Sequence, residues 1–260
     1  MVTYDEKKLL ELTLAEYEGI GTWYEYLVKY RIFRKLKNIN SVLLAGLPEE
    51  YGLASDILLF AIHGIKVTVI DDRKEKIDEF MNLAEKFGMK ENITAKLLKN
   101  FKKLPFKENS FDLVTNTEAI QRIPDCKNFI REMERVSGKH VIIFSPNGYY
   151  YSHYLITKIK TFRMKEFVSA CSLKIAGKNY LDRPPWPAGV AVSSNISFTQ
   201  GSKAKERLEL QKQGKKDSFF ISTTKKIFTF FTPALALSEI FYPSPLKEFL
   251  SHMFFIHMIK

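Results

Sequence analysis

Two features of this chain have the chemistry to grip a nucleoside. Gly46 opens the turn Gly46-Leu-Pro-Glu-Glu-Tyr-Gly52, where a residue with no side chain lets a ligand approach the backbone closely. Asp71-Asp72 ends an apolar run with a carboxylate, an acceptor whose two oxygens can take both hydroxyl protons of a ribose. Both need strands to hold them in place. Ser41-Val-Leu-Leu-Ala45 and Lys66-Val-Thr-Val-Ile70 read as short buried strands, and Leu53 to His63 carries apolar residues at helical spacing. Strand, turn, helix, strand and acid make half of a mononucleotide-binding βαβ unit, whose helix N-terminus turns unpaired N–H groups toward the ligand. A strand-ending Asp is also a common helix N-cap, so Asp71 or Asp72 could cap the helix that follows, and the two roles are compatible.

The rest of the chain supplies further strands on which polar residues can be carried to the same edge. A helix with Ile77, Phe80, Met81, Ala84 and Phe87 on one face closes at Gly88, and Ile93 to Leu98 is a third strand. Pro105 to Ser110 is a polar turn before Phe111-Asp-Leu-Val-Thr115, a fourth strand that ends at Asn116-Thr117. A helix with Phe129, Ile130, Met133 and Val136 leads to Gly138 and to His140-Val-Ile-Ile-Phe144, the fifth strand. Leu173 to Gly177 is a sixth, and Ser251 to Met258 is the last. Strand and helix in alternation call for an α/β fold, a parallel sheet with right-handed crossovers and helices on both faces.

Charge separates the chain into unlike parts. Residues 1–40 hold seven Lys/Arg against six Asp/Glu, residues 41–150 sixteen against sixteen, and residues 151–260 seventeen against seven. A neutral middle with a basic C-terminal portion suits an acidic partner or substrate such as nucleic acid, phospholipid or a phosphorylated metabolite, or serves solubility alone. Cys126 and Cys171 match no metal-ligand spacing and read as free thiols. The N-terminus lacks the unbroken apolar region of a secretory signal, so the protein is expected in the cytoplasm.

Ahead of the first strand, Trp23, Tyr26, Leu27, Tyr30, Phe33 and Leu36 fall on one face of an amphipathic helix, with Lys and Arg on the other. Tyr17-Glu-Gly-Ile-Gly-Thr-Trp23 is either a bent lid over a pocket or a plain turn between helices. Near the other end, Ile227 to Leu246 carries one charge, Glu239, but prolines at 233, 243 and 245 argue against a membrane span and for a cap or interfacial helix.

With these elements placed, the chain resembles the class I S-adenosylmethionine-dependent methyltransferases across residues 41–178 and 251–260. The motifs that carry the resemblance are Leu104-Pro-Phe-Lys-Glu-Asn-Ser-Phe-Asp-Leu-Val114, Thr117-Glu-Ala-Ile-Gln-Arg-Ile-Pro-Asp125, Phe129-Ile-Arg-Glu-Met-Glu-Arg-Val136 and the closing segment 251–260. The resemblance implies a Rossmann-like, seven-stranded, mostly parallel sheet whose antiparallel last strand inserts between strands five and six. It implies a helical cap over residues 1–40 and a basic, aromatic-rich insertion over 179–250. It further implies S-adenosyl-L-methionine as cofactor. Ala45, Gly46 and Leu47 would lie under its methionine part, Asp71 at the ribose, Asp72 beside adenine, Asn100 and Phe101 at the adenine amine and ring, and Asn116 and Thr117 near the reactive methyl. By the same resemblance Tyr149, Tyr150 and His153, with Tyr17, Trp23 and Trp186, are candidates for the substrate wall; a tyrosine run is equally a packing feature, and Trp186 equally a core anchor. Asn100 reads alternatively as a turn residue and Thr117 as a helix cap. The first glycine motif departs from the family, with Leu44, Pro48 and Glu50 where an acid and two further glycines stand. The expected function is methyl transfer to an acidic or planar acceptor, a small molecule before nucleic acid or a lipid surface. The alternative is a non-catalytic binding protein of the same fold that has lost the cofactor site.

Overall fold

A computed structural model describes residues 28–48, 53–150, 163–181, 247–249, 251 and 253–260. Seven strands form one sheet: β1 (Ser41–Ala45), β2 (Lys66–Asp71), β3 (Ile93–Leu97), β4 (Phe111–Thr117), β5 (Ser137–Pro146), β6 (Lys174–Leu181) and β7 (Met253–Ile259). Their order is β3-β2-β1-β4-β5-β7-β6. The first five run parallel, and β7 lies antiparallel between β5 and β6. This is the Rossmann-like sheet with an inserted antiparallel last strand that the resemblance implies.

The central strands are apolar on both sides because both faces are covered. On one face Val42, Leu44, Val69, Leu113 and Phe144 pack against Phe33, Leu58 and Phe80 from the flanking helices. On the other, Leu43, Ala45, Val114, Ile143 and Ile256 meet Phe129, Met133 and Phe167. The helix Lys74–Lys86 ends with Gly88 at φ +69, a left-handed position that favours glycine.

Several boundaries differ from the sequence reading. Gly138 lies inside β5 rather than closing the preceding helix, because Ser137 at the end of Cys126–Val136 is already extended and runs straight into the strand. Strand β6 continues to Leu181, three residues into the stretch expected as insertion. Residues 28–33 are helical, and Tyr30, Phe33 and Leu36 are buried as the periodicity requires. Lys29 departs from the amphipathic pattern: its side chain is 0% exposed. Among the described residues no helix is long and apolar enough to cross a membrane. The stretch 227–246 lies outside them.

Candidate functional site

Strand order reverses between β1 and β4, whose chain connections leave in opposite directions, and the crevice beyond their carboxyl ends is where ligands bind in open α/β sheets. Gly46 turns the chain away from β1 with φ +94 while its N–H donates to the Ile70 carbonyl at 2.8 Å. A Cβ built on Gly46 would lie 2.8 Å from the Ala119 Cβ, so only glycine lets this turn and the segment after β4 meet. Asn116 ties the two together, its Nδ2 donating to the Ala45 carbonyl at 2.6 Å and its Oδ1 accepting from the Ile120 N–H at 3.1 Å. Both contacts are buried, which makes Asn116 the strut between β1 and the turn Ile120–Arg122.

Asp71 is fully buried at the end of β2. Its Oδ2 accepts from the Leu47 N–H at 2.7 Å and from Arg122 Nη2 at 2.5 Å. Its Oδ1 accepts from the Arg73 N–H at 2.9 Å and Arg73 Nε at 2.8 Å, and Arg73 Nη2 reaches Oδ2 at 3.1 Å. That Nη2 also donates to the carbonyls of Leu47 and Pro48 at 2.8 and 3.0 Å. Arg122 spans to Asp72 as well, Nη1 to Oδ1 at 2.5 Å, and its guanidinium stands 5.0 Å over the Phe101 ring. Burial pushes the Asp71 carboxyl up, but the Arg73 and Leu47 hydrogen bonds and the two guanidinium charges outweigh it and hold the carboxyl below its ordinary value.

At the carboxyl end of β4, Glu118 sits in left-handed backbone, φ +56, and its N–H donates to the Phe144 carbonyl at 3.0 Å. A non-glycine residue held there is a local cost that recurs at functional sites. Its carboxylate, 22% exposed, lies 3.8 Å from the buried Lys29 ammonium, which also stands 5.4 Å over the Phe144 ring.

The structure therefore brings Ala45, Gly46, Leu47, Asp71, Asp72, Phe101, Asn116 and Thr117 to the sheet's carboxyl edge. Asn100 is exposed and accepts the Lys102 N–H at 2.9 Å in a local turn. Tyr150 is fully buried, and Tyr149 has Arg163 5.1 Å over its ring. Tyr17, Trp23, His153 and Trp186 lie outside the described residues. Arg73, Arg122, Glu118 and Lys29 escaped the sequence reading. Arg122 stands within the quoted segment Thr117–Asp125 but has no matching role in it, and Lys29 has no signal beyond a charge adjoining an apolar helix face.

Tested against an adenosyl group, the arrangement with Arg122 in place offers no free acceptors at its nucleoside end. A carboxylate offers about four acceptor sites, and Asp71 already faces Leu47, Arg122 and three N–H groups of Arg73. No pair of sites is left for a ribose diol. Asp72, 32% exposed, is engaged by the same Arg122.

Residues 53–179 match the family model described as a methyltransferase domain. This match over 127 of the 260 residues, with the sheet order, supports the class I S-adenosylmethionine-dependent methyltransferase family. The match begins after the altered turn. Among solved structures, the [4+2]-cyclase SpnF is similar at 12% identity with a TM-score of 0.53, covering 98% of this chain and 80% of that one. A putative sarcosine dimethylglycine methyltransferase from Galdieria sulphuraria is similar at 15% identity and TM-score 0.51, covering 92% and 83%. The geranyl diphosphate C-methyltransferase of Streptomyces coelicolor A3(2), solved with Mg2+, geranyl diphosphate and S-adenosyl-L-homocysteine, is similar at 12% identity and TM-score 0.51, covering 98% and 83%. At such identities these likenesses show the fold alone, and a cyclase among them illustrates that the fold does not set the reaction. The sequence matches none of the curated proteins compared with it.

Proposed function

We propose that the protein moves a methyl group from S-adenosylmethionine to an acidic or planar small-molecule acceptor in the cytoplasm. The observation that carries this reading is the methyltransferase-domain match over residues 53–179, together with the carboxyl edge of the sheet at which Gly46, Asp71, Asn116 and Glu118 stand. The cofactor, when bound, would supply the electrophilic methyl carbon. Such chemistry asks the protein mainly to align the acceptor and exclude water.

Glu118 is the residue placed to take a proton from the acceptor. It stands at the end of β4, is partly open to solvent, and is held in a strained backbone position with Lys29 beside its carboxylate. Lys29, 3.8 Å away, sets the direction of the carboxylate. The ten-charge basic excess of residues 151–260, seventeen against seven, supports an acidic acceptor, with nucleic acid or a lipid surface as further classes. Incubation with methyl-labelled S-adenosylmethionine and pools of small acids, RNA or anionic vesicles tests the reading. Label should pass to one pool, and Glu118→Gln should slow transfer by roughly 10²-fold or more. Equal transfer by the variant would remove Glu118 from the reaction.

The second reading, a non-catalytic binding protein of the same fold, draws support from the engaged Asp71 and the altered turn. Under it, no pool takes up label and no cofactor binds.

A further inference from the structure

The two bonds that Arg122 makes across Asp71 and Asp72 have a form that an ordinary surface salt bridge lacks. One planar guanidinium offers two adjacent donors, Nη2 to Asp71 Oδ2 and Nη1 to Asp72 Oδ1, while its face lies over the Phe101 ring. A nucleoside docked at this edge would present the same set: two vicinal hydroxyl donors for the carboxylates and a flat ring for the aromatic. We propose that Arg122 is an internal stand-in for the nucleoside, occupying the ribose-diol acceptors and the ring-stacking face, and that it sets cofactor affinity by competing for them. The inference rests on the proposed cofactor but concerns this chain's own residues.

Three observations separate this role from simple stapling of the turn Ile120–Arg122. First, Arg122 is not needed to neutralise Asp71, because Arg73 already binds that carboxylate through its N–H, Nε and Nη2. Second, the turn has its own anchor in the Asn116 to Ile120 bond. Third, Arg122 Nε is buried without a hydrogen-bond partner, so the guanidinium sits there with one donor unsatisfied. A side chain held by dispensable contacts, at the cost of an orphaned donor, is one that a better ligand can displace.

Displacement also clarifies how the diol would be held. Arg73 Nη2 has two hydrogens for three acceptors, the Leu47 and Pro48 carbonyls at 2.8 and 3.0 Å and Asp71 Oδ2 at 3.1 Å. With those hydrogens on the two carbonyls, withdrawal of Arg122 leaves Oδ2 to the Leu47 N–H and opens one acceptor there and one on Asp72 Oδ1. The ribose would then bridge two carboxylates, one hydroxyl each, rather than chelate Asp71 alone. Charge follows the same exchange: two aspartates and two arginines balance when Arg122 is in, and its departure leaves one negative charge for a cofactor whose sulfonium and ammonium outweigh its carboxylate.

The test is calorimetric titration of the intact protein with S-adenosylhomocysteine, comparing wild type, Arg122→Gln and Asp72→Asn, with thermal melts to confirm that each is folded. Removal of the competitor should tighten binding by tenfold or more in Arg122→Gln. Asp72→Asn loosens Arg122 but also removes one of the two ribose acceptors, so it should bind more weakly than Arg122→Gln. The double variant Arg122→Gln/Asp72→Asn should bind at least fivefold more weakly than Arg122→Gln alone. A folded Arg122→Gln that binds no tighter than wild type overturns the stand-in role while leaving the methyltransferase reading intact. Absence of binding in every form, wild type included, overturns both, and only that result does so. Should Arg122→Gln fail to fold, Arg122→Lys, which keeps the charge but cannot span two carboxylates or stack, carries the same expectation.

Discussion

At the scale of single residues, the site is governed by which polar groups are already satisfied. Asp71 and Asn116 are both buried, yet their bonds do different work. Asn116 has both ends engaged in buried contacts, to Ala45 and Ile120. Asn116→Leu should therefore cost about 1–3 kcal/mol for each buried backbone group it orphans, read as a lower urea midpoint with unchanged slope. A loss below about 0.5 kcal/mol would show that water replaces the amide and that Asn116 is no strut. The polar character of Asp71 and Asn116 was legible in the sequence because each ends a strand at the edge where ligands gather. Their partners were not. Arg73 and Arg122 are separated by a helix, two strands and the loop between them, and only the path through β3 and β4 brings both guanidiniums to one carboxylate.

At the scale of elements, the sheet order followed from motif and alternation, including the return of β7 between β5 and β6. Boundaries failed where no turn intervenes. Gly138 looks like a helix stop, but the chain passes into β5 with no loop, and a Cβ built on Gly138 would lie 3.5 Å from the Asn109 and Phe111 carbonyl oxygens. The β5–β7 pairing sets His140 and His257 side by side, with His257 Nε2 3.1 Å from His140 Nδ1. Burial pushes both imidazoles down, with Lys139 adding to the shift at His140 against the opposing Asp112. His257, lowered further by His140, reaches about 4. In the unfolded chain each titrates near 6.5. Between about pH 6.5 and 4 the unfolded state thus binds more protons than the folded one, so this pair's contribution to stability is full above 6.5 and declines as pH falls through that window. A series of urea melts from pH 8 to 4 should show the decline, reduced in His257→Phe. A flat wild-type profile over that range would contradict the neutral pair. The depressed carboxyls of Asp71, Asp112 and Glu132 act at lower pH, where their stabilisation, present above the ordinary carboxylate range, is lost as each protonates.

At the scale of the whole molecule, the parts that surround the site share one edge of the sheet. Strand β6 runs with β1 to β5 and ends at Leu181, opposite Met253, where β7 begins. Asn147, just past β5, donates to the carbonyls of Glu248 and Ser251 at 2.6 and 2.9 Å, and Tyr180 donates to Glu248 Oε1 at 2.5 Å. Leu181 and Glu248, on either side of residues 182–246, thus stand at the edge that carries Gly46, Asp71 and Glu118. Lys29 reaches the same edge from the other direction. The central claim, that this edge receives S-adenosylmethionine with Asp71 as an essential acceptor, is tested most directly by equilibrium binding of S-adenosylhomocysteine to the intact protein and to Asp71→Asn. One molecule should bind per chain. The variant should lose at least tenfold in affinity, since a charge-assisted acceptor is worth roughly 1.5–3 kcal/mol. Equal affinity in the two folded proteins would contradict it.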